Sequence, residues 1–221
     1  AQGFIVGYDF RFGAGAAGGT GEILEFCRRH GLLGEVIPPV KMGKEIVSSS
    51  RIRELLLAGE LAKANLMLDR PYMVTGRVAH GAHRGRRLGF PTANLEVPAN
   101  RLLPGYGVYL VRVFFDDQAH FGLANIGVRP TFSGNRPETE GRTETESQLK
   151  TENPPTTEIY LLDVAADLYG KTMVVEFLAF IRKEQKFPSA AALVAQMKKD
   201  EAAARRLLRR HSRFSKQTLS G

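Results

Sequence analysis

Residues 71–95 read PYMVTGRVAHGAHRGRRLGFPTANL, and this stretch decides the fold. It opens with a run of residues typical of a strand and continues into a loop in which glycine recurs at every fourth position. The loop glycines, Gly81, Gly85 and Gly89, suit a backbone whose amides approach an anion closely, and Arg86 adds positive charge beside them. The stretch therefore predicts a β protein with an anion-binding loop.

The segment Pro91-Thr92-Ala93-Asn94 follows this loop directly. Thr92 and Asn94 stand two residues apart, so in an extended strand their side-chain oxygens lie on one face. Two neutral oxygens suit Mg²⁺ shared with a nucleotide, because Mg²⁺ prefers hard oxygen donors and keeps positions for water and phosphates. The alternative is that the glycines only mark turns and residues 91–94 form a loop before a strand. The motif GxxxxGK[ST] does not occur, so a P-loop fold is not expected.

Length and composition describe an ordinary globular chain of one large or two small domains, with 221 residues and 43% hydrophobic content. The sequence contains no signal-peptide pattern and no apolar run of membrane-spanning length, so we expect a cytoplasmic protein without a membrane partner. The single cysteine, Cys27, lies in the helix-like segment EILEFCRR and is expected to pack as a small hydrophobe.

The net charge of +8 is concentrated at the end of the chain. Residues 198–221 hold eight Lys or Arg against two acids, which leaves the rest of the chain only +2. This pattern indicates the solvated end of an amphipathic helix and a frayed tail. The tail lacks interleaved aromatics on which bases could stack, which argues against a nucleic-acid partner, although a basic nucleic-acid-binding barrel remains an alternative.

The chain is organised in two unequal parts. The first, residues 1–69, contains a strand GFIVGY, a helix pattern over 21–30 and a return through EVIPPV, which is a β-α-β signature. One further helix is predicted over residues 51–68, with a serine as N-cap and Glu54 completing a capping box. Capping a helix needs only one serine, whereas three serines and two arginines occur here. These additional polar residues favour a phosphate site built from Ser48, Ser49, Ser50, Arg51 and Arg53.

From about residue 70 the pattern becomes that of short strands separated by turn signals, which predicts an antiparallel barrel or sandwich. The predicted strands are PYMVTGRVAH, YGVYLVRVFF, HFGLANIGV, TEIYLLDV and KTMVVEFLAFI. The final segment, SAAALVAQMKKDEAAARRLLRR, is rich in helix formers and begins after Pro188, with Ser189 as the expected N-cap.

Residues 133–157 have almost no apolar content and are dominated by Thr, Glu, Pro and Gly. A loop of this length inside a compact domain is usually either disordered or a functional lid. It ends at Glu158, whose carboxylate at the mouth of a strand is a candidate general base; the alternative is an exposed strand glutamate without a role.

Six segments carry a resemblance to a known family. RLGFPTANL, NIGVRPTF, EIYLLD followed by DLYG, and FIRKEQKF occur in the order and spacing of the riboflavin kinase domain of bacterial bifunctional FAD synthetases, over residues 70–208. VGYDFRFG and VSSSRIRELLLAGELAKA resemble the second half of the FMN adenylyltransferase module of the same enzymes.

The resemblance implies a mixed α+β chain. Residues 70–221 would form an antiparallel Greek-key β-barrel with a terminal helix, and residues 1–69 would be part of an α/β, Rossmann-like nucleotidyltransferase module. The implied reaction transfers the γ-phosphate of ATP to the 5′-hydroxyl of riboflavin, giving FMN, with Mg²⁺ as the metal. Both small molecules would be substrates of the barrel.

The resemblance also assigns residues. Glu158 would be the catalytic base, and Thr92 and Asn94 would hold magnesium and nucleotide. The remaining residues implied at the ATP site are Gly81, Gly85, Arg86, Gly89 and Pro91, and those in the segments implied to line the flavin and nucleotide sites are Asn125, Arg129, Thr131, Arg182, Glu184 and Phe187.

The chain departs from the family pattern in several places. The family's first strand and HxGH-type motif are absent from the sequence, so FAD formation is not expected unless that half is present. A half module leaves sheet edges uncovered, which makes a homo-oligomer a further expectation. Ser50 stands for a usual threonine, Asp69 for a glycine and Tyr160 for a histidine, and the acidic insertion before Glu158 is long. A non-catalytic flavin- or nucleotide-binding barrel is the main alternative.

Overall fold

The computed structural model describes residues 1–79, 89–128, 155–164 and 166–217, with side chains up to residue 210. The chain divides into two compact units, Ala1–Ser49 and Ser50–Gly221. The described residues include no helix long and apolar enough to cross a membrane. The module boundary that we predicted between residues 69 and 70 stays a prediction, whereas the spatial division falls after Ser49.

The first unit is a small α/β structure, as the β-α-β signature predicted. Strands β1 and β2 pair in parallel and are joined by helix α1, which carries the buried Cys27. Cys27 packs closely against Gly34. A Cβ added to Gly34 would lie only 3.0 Å from the Cβ of Cys27, so a larger residue at position 34 would crowd the cysteine. A short 3-10 turn precedes α1, and a small hairpin follows β2. The elements are β1 (Gly3–Gly7), the 3-10 turn (Ala14–Ala16), α1 (Thr20–Arg29), β2 (Leu33–Ile37), β3 (Lys41–Met42) and β4 (Glu45–Ile46).

The single helix predicted over residues 51–68 is wrong: two helices occur, α2 (Ser49–Leu57) and α3 (Leu61–Leu68). Gly59 interrupts them with φ +75, a left-handed conformation that suits glycine and that no helix can continue through. The predicted capping box is also wrong. Because α2 begins at Ser49, Glu54 lies at its sixth position and pairs with Arg51 at 3.2 Å.

Helix α3 belongs to the second unit, and the side chain of Asn65 bonds it to two barrel strands. The Asn65 amide donates to the carbonyl of Phe177 at 2.8 Å, and its oxygen accepts the N–H of Tyr72 at the same distance. The helix ends at Asp69, which adopts the left-handed conformation with φ 54. This turn leads directly into the first barrel strand.

The second unit contains a closed antiparallel barrel, as predicted, and residues 92–96 add a sixth strand to the five strand segments predicted from the sequence. Going round the barrel, the strand order is β10-β5-β6-β9-β8-β7. Consecutive strands β7, β8 and β9 are neighbours and β10 returns to lie beside β7, which is a Greek key. The strands are β5 (Tyr72–Ala79), β6 (Thr92–Glu96), β7 (Gly107–Phe115), β8 (Gln118–Gly127), β9 (Thr156–Leu161) and β10 (Thr172–Arg182).

Alternation along the strands separates a barrel interior from an outer face. Ala93, Ala124 and Ile159 are buried in one interior row, and Tyr109, whose ring meets that of Phe177 edge-on at 5.4 Å, continues it. The buried Tyr109 hydroxyl donates to the carbonyl oxygen of Gly105.

The outer face is covered in part by the terminal helix, α4 (Ala190–Gln217). Its N-terminus is capped as predicted, since the Ser189 hydroxyl accepts the N–H of Ala192 at 3.2 Å. Ala204 on α4 packs against an apolar cluster on the outside of the strands. The cluster consists of Val108, Leu110, Leu123, Leu162 and Ala204, with Tyr160, Leu207 and Leu208 packed beside it.

Candidate active site

A row of three polar residues crosses the outer face of the barrel. Asn94 on β6 pairs with Glu158 on β9, and Glu158 pairs with Asn125 on β8. Directly paired residues of neighbouring strands project to the same face, with Cβ atoms about 4.5–5.5 Å apart. All three side chains are half-buried, while the residues on either side of each are buried in the barrel. The Glu158 carboxylate is therefore flanked by two amides.

Thr92 joins this group from the next row. It lies two residues before Asn94 on β6, and the burial pattern puts both side chains on the outer face, as the spacing predicted. Thr92 pairs with Tyr160, which lies two residues after Glu158. The rings of Tyr160 and Phe90 meet edge-on with centroids 5.2 Å apart, and this contact fixes the chain just before β6. Four polar residues from three strands thus converge on one patch.

Tyr160, which stands where the family usually has histidine, lies between this patch and α4. Burial raises its pKa, and the negative charge of Glu201 on α4 raises the pKa further, so the hydroxyl stays protonated. Arg205 donates a hydrogen bond to Glu201 at 2.8 Å and forms a bidentate pair with Asp163 at 2.8 and 2.7 Å. Helix α4 is thereby anchored at the end of β9.

Arg182 lies at the far end of the polar row, since it pairs with Val108 and Val108 pairs with Asn125. Its guanidinium turns toward α4, where Nε donates to both oxygens of Asp200 at 3.0 Å. Sequence reasoning missed Asp200. A signal was present, because this charged residue precedes the buried Ala204 by four positions and so occupies the apolar stripe of the helix.

Glu184 lies at the edge of this patch, beside the last residues of β8. It accepts the N–H of Val128 and packs so closely on Gly127 that a Cβ there would collide with its carboxylate. Burial raises the pKa of Glu184, an effect that the Val128 hydrogen bond and the Arg182 charge oppose. The buried hydroxyl of Tyr106, near Glu184, has no hydrogen-bond partner among the described residues.

The predicted phosphate site at residues 48–53 lies at the start of α2. Ser49 and Ser50 are the first two residues of that helix and are exposed, Arg53 is exposed, and Arg51 pairs with Glu54. Ser48 precedes the helix. A helix N-terminus with free amides is common to all helices, so the phosphate site stays a prediction.

Several predicted site residues lie outside the described residues. They are Gly81, Gly85, Arg86, Arg129 and Thr131, together with residues 133–154 of the acidic loop. Gly89 is the first described residue after β5, its φ of +81 favours glycine, and Pro91 lies directly before β6.

The donor set fits magnesium better than a transition metal. The described part of the chain contains no group of three or more His, Cys, Asp or Glu side chains that could enclose a metal. Thr92 and Asn94 instead offer a hydroxyl and an amide oxygen on one face, with Glu158 in the neighbouring strand. Such a hard, incomplete oxygen set suits Mg²⁺ that takes its other ligands from phosphate and water.

Comparison with known proteins identifies relatives of the whole barrel. Residues 68–208 match the family model described as "Flavokinase: Riboflavin kinase". The chain is 38% identical over 202 residues to a bifunctional riboflavin kinase/FMN adenylyltransferase of Pseudomonas fluorescens, covering 91% of this chain and 59% of that protein. The Escherichia coli K12 protein of the same name is 39% identical over 202 residues, covering 90% and 58%. The chain therefore spans less than two thirds of these relatives.

A solved structure shares the fold. A crystal structure described as a macrolide-efflux protein from Streptococcus pneumoniae superimposes with a TM-score of 0.73 at 33% identity. The match covers 91% of this chain and 60% of that one.

Proposed function

The chain belongs to the riboflavin kinase family, and from this premise we propose that it transfers the γ-phosphate of ATP to the 5′-hydroxyl of riboflavin, giving FMN. The observation that carries the proposal is the row in which Glu158 lies between Asn94 and Asn125, with Thr92 beside it on the same face. This row combines one carboxylate, which can accept the hydroxyl proton, with neutral oxygens, which can bind a magnesium–nucleotide complex. Phosphoryl transfer to a hydroxyl requires both kinds of group.

Glu158 acts as the general base. Its carboxylate accepts the proton of the 5′-hydroxyl while that oxygen attacks the γ-phosphorus, the bond from this phosphorus to the β–γ bridging oxygen breaks, and ADP leaves. The two paired asparagines support this role, because amides on either side orient the carboxylate without adding charge. Most of the rate enhancement in such a reaction comes from holding the two substrates in the right geometry, and less comes from reactive side chains. A rigid barrel face therefore suits the reaction.

Thr92 and Asn94 bind the magnesium–nucleotide complex through their side-chain oxygens. When bound, Mg²⁺ neutralises charge on the phosphates. Both residues lie on β6 immediately after the glycine-spaced loop, which brings them next to the backbone proposed to cover the phosphates. Since ATP is a cytoplasmic metabolite, we place the reaction in the cytoplasm.

The direct test incubates the protein with riboflavin, ATP and MgCl₂ and separates the flavins by chromatography. We expect FMN. Riboflavin left unchanged by correctly folded protein contradicts the proposal, and binding of flavin without turnover then favours the non-catalytic barrel. The same chromatogram reports FAD, and its formation would contradict the expectation that this chain does not adenylylate FMN.

Replacing the proposed base tests the role of Glu158. Glu158→Gln should lower kcat by about 10² to 10⁴-fold, because the amide cannot take the proton, while ATP affinity stays within a few-fold. Glu96→Gln, on the exposed end of β6, is the matched control and should leave kcat unchanged. A Glu158→Gln enzyme with kcat within threefold of the wild type would show that another group accepts the proton.

Replacing a proposed nucleotide ligand tests ATP binding in a measurement that does not depend on turnover. Asn94→Ala removes an oxygen from the magnesium–nucleotide site, so the Kd for ATP measured with Mg²⁺ by calorimetry should rise about tenfold. Equal affinity of Asn94→Ala and wild type would rule out this role for the amide.

A further inference from the structure

Helix α4 buries an acid against the barrel. The side chain of Asp200 is 4% exposed and that of Arg182 is 19% exposed, so both charges are largely removed from water. Asp200 accepts from Arg182 Nε at 3.0 Å and from Nη2 at 2.8 Å, and its Oδ1 also accepts from Gln196 at 2.8 Å. A pair with this fork geometry and this burial holds its members in one orientation.

The second edge of the Arg182 guanidinium holds the segment that follows it. Nη1 donates to the carbonyl of Lys183 at 2.9 Å, and the guanidinium carbon lies 5.7 Å from the centre of the Phe187 ring. With Nε and Nη2 on Asp200 and Nη1 on a backbone carbonyl, the guanidinium binds protein on both edges. Arg182 therefore shapes residues 183–187 instead of reaching toward the polar row.

Residues 183–187 carry Glu184 to the end of β8. There its carboxylate meets Gly127 and the N–H of Val128, two and three residues after Asn125 of the polar row. Thr156, two residues before Glu158, is tied to the same point, since its hydroxyl donates to the carbonyl of Gly127 at 3.1 Å. The buried pair on α4 is thus connected by direct contacts to the edge of the candidate active site.

We propose that Asp200 is a positioning residue of the reaction, acting through Arg182 to hold residues 183–187, and with them Glu184, against the end of β8. The inference rests on the proposed function. Glu184 touches the Gly127 end of β8, whereas the β6–β9 pairing that aligns Asn94 with Glu158 and carries Thr92 lies away from the clamp, so its loss should change how riboflavin is held more than how the phosphoryl group is transferred.

The first experiment compares two acids that both anchor α4. Asp200→Asn should raise the KM for riboflavin at least tenfold while kcat falls less than threefold, measured on folded protein at 25 °C. Asp163→Asn is the matched control, since Asp163 forms the exposed fork with Arg205 on the same helix and should leave both constants within twofold. An unchanged riboflavin KM in folded Asp200→Asn overturns the positioning role.

The second experiment separates positioning from stability. The double variant Arg182→Met/Asp200→Leu replaces the buried pair by apolar side chains, which often restores stability. We expect a thermal midpoint near that of the wild type together with a riboflavin KM that stays raised. Recovery of the wild-type KM along with the midpoint would show that the pair serves stability alone.

A third variant displaces Glu184 and leaves Arg182 and Asp200 unchanged. In Gly127→Ala the new methyl collides with the Glu184 carboxylate, the mobile end of a long side chain, and displaces it. This variant should reproduce the raised riboflavin KM even if the double variant does not fold, and a wild-type KM here overturns the proposed path through Glu184. Wild-type protein that makes no FMN contradicts the proposed function itself, whereas active wild type with equally active variants contradicts only the clamp.

Discussion

The barrel and the β1–β2 sheet are built from similar short apolar strands, yet only the barrel encloses them. Among the described residues, every barrel strand has two hydrogen-bonded neighbours, whereas β1 and β2 pair only with each other. Helix α1 covers one face of the small sheet, where Phe4 meets Phe26 edge-on at 6.3 Å. The other face leaves Ile5 and Leu33 each 63% exposed.

The difference shows what strand sequences need in order to be buried. Parallel strands are normally covered on both faces, and open edges invite further pairing, whereas closure removes edges altogether. The proposed site lies on the closed unit, where neighbours on both sides fix the register of its strands. The expected homo-oligomer would form through the open β1–β2 sheet, and it stays a prediction. Sedimentation velocity over a range of protein concentrations tests it by measuring the mass of the particle.

The largest effect should come from removing a buried leucine of the barrel. Leu110 is fully buried beneath α4, so Leu110→Ala leaves a cavity and should lower the free energy of unfolding by about 2–5 kcal/mol. Leu33→Ala in the open sheet should change it by less than about 0.5 kcal/mol. Urea denaturation followed by circular dichroism measures both, and a comparable loss in Leu33→Ala would mean that the open face is covered in solution.

A smaller effect of opposite sign is expected inside the barrel. Thr157 is buried, and its hydroxyl has no hydrogen-bond partner within the described part of the chain. Thr157→Val removes this unsatisfied group and should raise the free energy of unfolding by about 1 kcal/mol. Its neighbour Thr156 donates to Gly127, so Thr156→Val should instead lose about 1 kcal/mol. A destabilised Thr157→Val would reveal a partner for the Thr157 hydroxyl.

The smallest effect concerns the turn that leads into the barrel. Asp69, where the family usually has glycine, adopts φ 54 at the end of α3. Asp69→Gly relieves the cost of that conformation and should raise the thermal midpoint slightly, corresponding to about 0.5 kcal/mol. Asp69→Ala should lower it, since alanine lacks aspartate's tolerance for this region. The same midpoint for both variants would mean that the turn rearranges.

The elements of the barrel were predictable because their signals are local. Strand periodicity, Pro188 followed by a serine cap, and the spacing of Thr92 and Asn94 each depend on residues within a few positions of one another. The break at Gly59 was missed because its flanks, LLLA and LAKA, both favour helix and a single glycine is tolerated within many helices. The capping box failed because the serines left the first helical residue ambiguous.

The amino-acid sequence by itself determined the family, the barrel class and the identity of the polar residues at the proposed site, because motifs and periodicity are properties of neighbouring residues. Only the tertiary structure decided that Asn94, Glu158 and Asn125 share one row and that Arg182 faces Asp200. Strand register and helix docking join residues far apart in the chain. Their pairing depends on closure of the whole barrel and on the burial that closure permits, which no local pattern encodes.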